Sequence, residues 1–165
     1  MTTIQKVAVC GAGGTMGAGI AIVSARAGFE TFCFDLSADA LARQRKAAEK
    51  FFGGSVAKGR MTQEAADAAL ARMHDVTELA ALADCDLVIE AIFEDLAVKR
   101  ELFSKLNTIC KASTIFASNT STLSITEIAG GSGRDERVVG MHFCLPAQVM
   151  KLIEIVPIPE TSPEA

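Results

Sequence analysis

The segment Gly11-Ala12-Gly13-Gly14-Thr15-Met16-Gly17 has the composition of a phosphate cradle. Glycines allow a tight turn and let backbone N–H groups approach a pyrophosphate, and the positive end of a following helix favours the same anion. The loop follows a short apolar run and opens an Ala-, Ile- and Gly-rich stretch, and Asp35 closes the next apolar run. A carboxylate there can accept both hydroxyls of an adenosine ribose and would repel a 2′-phosphate, which favours NAD over NADP. The spacing, Gly-x-Gly-x-x-x-Gly, is one residue longer than the usual dinucleotide loop. Two alignments stay open. Either the loop bulges between Gly11, Gly13 and Gly17, or Gly14 and Gly17 take the second and third glycine roles with Ala12 in the first.

Such a loop needs a scaffold of alternating strands and helices, and the hydropathy pattern supplies one. Strands are predicted at 7–10, 31–34, 86–92, 114–117, 137–143 and 150–156, and several read as the continuous apolar runs of parallel strands buried on both faces. Helices are predicted at 14–27, 38–52, 62–73, 96–110 and 122–129. The second and third of these, broken at Gly53-Gly54 and Lys58-Gly59-Arg60, form a helical hairpin over 37–75. The link from His142 to Met150 is shorter than the dozen or so residues a parallel crossover takes, so the last strand runs antiparallel to its neighbour. The predicted fold is α/β and Rossmann-type: a mostly parallel sheet with helices on both faces and a helical hairpin inserted after the second strand. Residues 1–157 make the nucleotide-binding domain. Residues 158–165, with a helix-start signal at Thr161-Ser162-Pro163, read as a linker into a helical C-terminal domain that this chain lacks.

The chain has 165 residues, a formal net charge of −4 and 50% hydrophobic residues, with a mean hydropathy of +0.31. That is apolar for a soluble monomer and implies a face meant to be covered. No basic run occurs and Trp and Tyr are absent, so nucleic acid is not an expected partner. The five cysteines are scattered, with no CxxC or Cys/His pair at ligand spacing, so no metal site is expected. No apolar run reaches about 18 residues, and too few residues precede the first strand for a targeting segment. A reduced, cytoplasmic setting is the expectation.

Three longer stretches are more specific than the glycine loop. They are the run 86–103, which reads Asp-Leu-Val-Ile-Glu-Ala-Ile-Phe-Glu-Asp and continues through Lys99; Ala117-Ser-Asn-Thr-Ser-Thr-Leu-Ser; and Val139-Gly-Met-His-Phe-Cys-Leu-Pro-Ala-Gln. In that order they resemble the L-3-hydroxyacyl-CoA dehydrogenase family, and the likeness covers essentially the whole chain. The resemblance implies a catalytic His at His142, its partner at Glu154, a serine at Ser121 that meets the substrate oxygen, and Asn119 on the nicotinamide side. Glu94 and Lys99 match residues that meet the nicotinamide ribose. Gly11, Gly13, Thr15, Met16, Gly17 and Asp35 complete the implied NAD site.

The chemistry suits those roles. Oxidising a secondary alcohol needs a base for the hydroxyl proton, histidine titrates in the right range, and a carboxylate behind it fixes the tautomer. Glu154 sits within an apolar run and, if buried, needs a partner, because an unpaired buried carboxylate is costly; His142 is the obvious candidate. Ser121 could instead cap the helix that follows it.

The implied reaction is NAD-dependent oxidation of an L-3-hydroxyacyl-CoA to the 3-ketoacyl-CoA, in fatty-acid β-oxidation or butanoate-type metabolism. The hairpin cations Arg43, Arg45, Lys46, Lys50, Lys58 and Arg60 would help hold coenzyme A. The full-length protein would be a homodimer, and this half alone would turn over poorly or not at all. A non-CoA hydroxy acid or sugar acid as substrate, and a non-catalytic NAD-binding module, are the alternatives. The chain departs from the family where Cys144 and Leu145 replace the second Phe and the Asn of His-Phe-Phe-Asn-Pro.

Overall fold

The computed structural model describes residues 3–165; Met1 and Thr2, which the sequence reading includes in the nucleotide-binding domain, lie outside the described residues. In chain order the elements are β1 (Lys6–Cys10), α1 (Thr15–Arg26), β2 (Glu30–Phe34), α2 (Ala38–Ala57), α3 (Gln63–Ala71), β3 (Met73–Val76), β4 (Leu87–Glu90), α4 (Leu96–Ile109), β5 (Ile115–Ser118), α5 (Ile125–Ala129), β6 (Val138–Phe143) and β7 (Ile153–Pro157). They form one seven-stranded sheet in the order β3-β2-β1-β4-β5-β6-β7. Only the β6–β7 pair is antiparallel, as the short link between them requires. Because β1 lies between β2 and β4, the chain leaves it in opposite directions and opens a crevice at the carboxyl ends of the strands.

Alternation along the strands divides the core. Val7, Val9 and Ile89 point to one face, with Ile20 of α1 and Phe52 of α2, while Ala8, Cys10 and Val88 point to the other, with Phe103 and Leu106 of α4. Burying a side chain such as Phe103 completely stabilises the fold by about 1.5–3 kcal/mol. Arg134 secures α4 from below. Its guanidinium donates to the carbonyls of Asn107 (3.0 Å) and Cys110 (3.3 Å) at the end of the helix and of Lys111 (2.8 Å) just beyond it, and lies 4.7 Å from the Phe116 ring centroid.

Three expectations need correction. The sequence reading carried the third helix to residue 73 and gave no strand there, yet Met73–Val76 pairs in parallel with Thr31–Phe34 as an edge strand. Four residues that include His74 and Asp75 carry no apolar signal, because an edge strand has one covered side. Second, α2 runs straight through Gly53-Gly54. Mid-helix glycine costs about 1 kcal/mol against alanine, but Phe52 and Val56, one turn apart and packed on the same core, hold that turn in place. Third, Arg45 is not free for a ligand. It donates to Leu70 O (3.0 Å) and to Asp75 Oδ2 (3.1 Å), and so fastens α2 to the end of α3 and to β3.

Four of the five thiols, those of Cys10, Cys33, Cys85 and Cys110, are buried, and Cys144 is half-buried. Burial pushes Cys33 and Cys85 up to about 12 and Cys110 to about 11, and it raises Cys10 well above the ordinary range with help from the neighbouring Glu90 charge. Since the thiolate is the reacting form, one thiol per chain should react with Ellman's reagent under native conditions near neutral pH, at Cys144, with the rest appearing on denaturation. Rapid labelling of a second native thiol would contradict this assignment.

Candidate active site

The glycine loop adopts the bulged alignment. Gly11 has φ +86°, and a Cβ there would lie 2.6 Å from Ala91 O at the end of β4. A Cβ on Gly17 would lie 2.1 Å from Gly11 O, so these two glycines are the points of backbone contact between loop and helix. Ala12 is fully buried, with its N–H on Phe34 O at 3.0 Å, and does not take a glycine role. The added length is absorbed at Gly13-Gly14. Gly13 N–H donates to Asp35 Oδ2 at 3.0 Å, and Gly14 caps α1 with no side chain. The amides of Thr15, Met16 and Gly17, at the start of the helix, therefore lack a capping side chain, the condition in which a helix end takes a phosphate. Asp35 closes β2 and also accepts from Ser37 N at 3.0 Å; each oxygen thus takes one amide, leaving lone pairs for ribose hydroxyls.

Beside this loop lies a pocket of about 250 Å³ lined by Met16, Ala91, Ile92, Glu94, Lys99, Asn119 and Ser121. Five of these seven are residues the sequence singled out, drawn from α1, the β4–α4 turn, α4 and the turn after β5. Lys99 is 1% exposed, so it is no solvated helix lysine; its Nζ lies 2.6 Å from Glu90 Oε1 and 3.2 Å from Glu94 Oε2. Burial works to raise the Glu94 carboxyl, but the hydroxyl of Thr120 and the Lys99 ammonium outweigh it and hold the group below the ordinary carboxylate range. Ser121 does not cap α5. Ser124 does, accepting from Glu127 N, and Ser121 stands exposed at the pocket.

On the neighbouring strands, His142 of β6 faces Glu154 of β7 as a register pair, with Nδ1 2.7 Å from Oε2. An ionised carboxylate can only accept, so Nδ1 carries a proton, and in the neutral ring Nε2 then presents its lone pair. The next residue ties this pair to the pocket: Phe143 N–H donates to Asn119 Oδ1 at 2.8 Å. The hairpin cations Arg43, Lys46, Lys50, Lys58 and Arg60 are exposed. Leu145, 59% exposed, stands where the family motif has Asn. Glu90, fully buried and 2.6 Å from the pocket-lining Lys99, is a contact that the sequence alone did not single out. A carboxylate in the middle of the apolar run 87–92 was the available signal.

Residues 6–165 match the family described as 3-hydroxyacyl-CoA dehydrogenase, NAD binding domain. The chain belongs to that family. It is 46% identical over 156 residues to the 3-hydroxyadipyl-CoA dehydrogenase of Escherichia coli, covering 94% of this chain and 33% of that protein. It is 43% identical to a probable 3-hydroxybutyryl-CoA dehydrogenase of Deinococcus radiodurans, covering 97% of this chain and 57% of that one. The crystal structure of a 3-hydroxybutyryl-CoA dehydrogenase from Escherichia coli superposes with a TM-score of 0.96 at 44% identity, over 99% of this chain and 34% of the other. The chain therefore spans between a third and just over a half of these relatives' length.

As a domain of this family it binds NAD, and its own residues fit the cofactor. The backbone contact at Gly11 and Gly17 leaves no room for side chains between loop and helix, the start of α1 is uncapped, and Asp35 stands at the tip of β2. Among the described residues, no helix is long and apolar enough to cross a membrane.

Proposed function

We propose that the protein oxidises an L-3-hydroxyacyl-CoA to the 3-ketoacyl-CoA, and that this chain supplies its NAD-binding half and most of its catalytic groups. The observation that carries this reading is the His142–Glu154 pair, 2.7 Å apart and tied through Phe143 to the pocket that Asn119 and Ser121 line. His142 Nε2 takes the proton of the substrate hydroxyl, while Glu154 holds the ring and stabilises the imidazolium that results. Ser121, released from capping, hydrogen-bonds the substrate oxygen and polarises it as a carbonyl in the reverse direction. NAD bound alongside supplies the hydride acceptor. Asp35 takes the adenosine ribose, the loop from Gly11 to Gly17, with Gly13, Thr15 and Met16, takes the pyrophosphate, and Glu94 and Lys99 take the nicotinamide ribose.

Residues 1–157 form the nucleotide domain in this reading, and 158–165 lead into a helical second domain. Support comes from an apolar groove of about 410 Å³ that Leu87, Ile115, Val139 and Ile155 line, and from the exposed Ile153, on the same face of β7 as Ile155. A second domain seated there would cover that face and complete the substrate cleft. The intact protein would act as a cytoplasmic homodimer in β-oxidation or butanoate-type metabolism.

The test compares 3-hydroxybutyryl-CoA with free 3-hydroxybutyrate in the intact protein, before and after Arg43, Lys46 and Lys50 are replaced by Gln. Removing charge contacts made equally in ground and transition states should raise KM for the thioester about tenfold with kcat kept, and leave the free acid unaffected. Equal use of the two substrates would point to a non-CoA hydroxy acid. NADH binding with no turnover of either would point to a non-catalytic module.

A further inference from the structure

Five side chains behind the pocket close a ring of polar contacts. Glu90 Oε1 accepts from Lys99 Nζ at 2.6 Å and from Ile92 N at 2.7 Å, and its Oε2 accepts from Ser118 Oγ at 2.6 Å. Ser118 Oγ in turn accepts from Thr120 N at 3.4 Å, the Thr120 hydroxyl donates to Glu94, and Glu94 Oε2 lies 3.2 Å from Lys99 Nζ. The members come from the ends of β4 and β5, the turns that follow them, and the first turn of α4. Beyond β5 the chain alternates as an extended segment does. Ser118, Thr120 and Thr122 contact the ring, while Asn119 and Ser121 line the pocket.

Stability does not account for this arrangement. Glu90 is 0% and Lys99 1% exposed, and desolvating two charges costs about as much as their attraction returns. An apolar pair of similar volume could replace the ion pair itself without weakening the packing of β4 against α4, although Ile92 N–H and the Ser118 hydroxyl would lose their acceptor. What the charged pair adds is a fixed ammonium on the wall of the pocket, and a carboxylate that also ties down the turn carrying Asn119 and Ser121.

We propose that Glu90 is a positioning residue for the cofactor pocket, fixing the Lys99 ammonium at its wall and, through Ser118, the turn that presents Asn119 and Ser121. This rests on the reading of that pocket as the seat of the nicotinamide ribose. The charged and titratable groups around Lys99 among the described residues are Glu90 on β4, Glu94 on the β4–α4 turn and, beside Glu90, Cys10 on β1, whose thiol burial and the Glu90 charge keep protonated. From α1, Met16 brings no charge.

Glu90→Gln keeps the shape and removes the charge, its amide oxygen able to accept from Lys99 and Ile92 N while its NH2 can only donate to Ser118 Oγ, so the one carboxylate Lys99 still faces is Glu94. NADH affinity of the intact protein, read by fluorescence titration, should fall tenfold or more near neutral pH. A paired variant, Glu90→Met with Lys99→Met, should still fold, melting lower only by what the lost acceptor of Ile92 N–H and Ser118 Oγ costs, and should bind NADH at least about tenfold more weakly. Wild-type affinity in the paired variant would overturn the proposal, as would wild-type affinity of Glu90→Gln. Wild-type affinity of Lys99→Met alone would instead overturn the reading of the pocket.

Discussion

His142→Ala should lower kcat/KM for oxidation of a 3-hydroxyacyl-CoA by about 10²–10⁴-fold, the range that a positioned general base contributes. NADH affinity should stay close to wild type, because His142 reaches the cofactor pocket only through the Phe143–Asn119 contact. Glu154→Gln should cost less, since an amide can still hold the ring while losing the charge that stabilises the imidazolium. The double variant decides whether the two act as one unit. Each contact runs through the same 2.7 Å hydrogen bond, so once the imidazole is gone Glu154 has nothing to orient. His142→Ala/Glu154→Gln should therefore be no slower than His142→Ala alone, as for other catalytic groups that work together. A full additional loss would assign Glu154 a separate role and break the proposed pair.

The second large effect is expected at Gly17. A methyl group there would sit 2.1 Å from Gly11 O and 2.9 Å from Ala12 Cα, all backbone, so either α1 or the end of β1 must move. Overpacking of this kind costs about 1–3 kcal/mol in well-packed regions. At this size that lowers the melting temperature by about 2–4 °C per kcal/mol. Binding should suffer more than folding, because the displaced parts are the phosphate loop itself: NADH affinity should drop about 100-fold. Gly14→Ala is the matched control. Its Cβ would meet Gly11 O at 3.3 Å and no other atom within contact range, and the position has extended backbone that an L residue accepts. Affinity within about threefold of wild type is expected there. Equal losses at the two positions would mean that the loop does not bulge where the structure has it bulge.

That contrast also marks a limit of the one-dimensional reading. Counting glycines left two alignments of the loop, because spacing alone does not say which backbone atoms touch. The closeness of Gly17 to Gly11, where a Cβ would lie 2.1 Å from Gly11 O, and the burial of Ala12 choose between them. Arg45 is a similar case: as one cation of six on the hairpin it looked like a coenzyme A contact, but Asp75, thirty residues on, and the end of α3 claim it. The edge strand β3 was missed because its four residues carry one fully buried side chain.

Local chemistry was enough for the alternation of strands and helices, the antiparallel last strand, the glycine loop with Asp35, and the motifs that carry His142, Asn119 and Ser121. Each rests on hydropathy period, loop length or contiguous residues, which act over short stretches of chain. Contacts between distant segments needed the folded molecule. Glu154 was expected to require a partner if buried; it is exposed instead, and sheet register alone sets it against His142 by placing β7 opposite β6. Glu90 stood in the same situation, a carboxylate in an apolar run, but its partners lie 9 residues away on a helix and 28 away on another strand. No pattern in the chain brings those three together, because the packing of α4 and β5 against β4 is a property of the whole sheet.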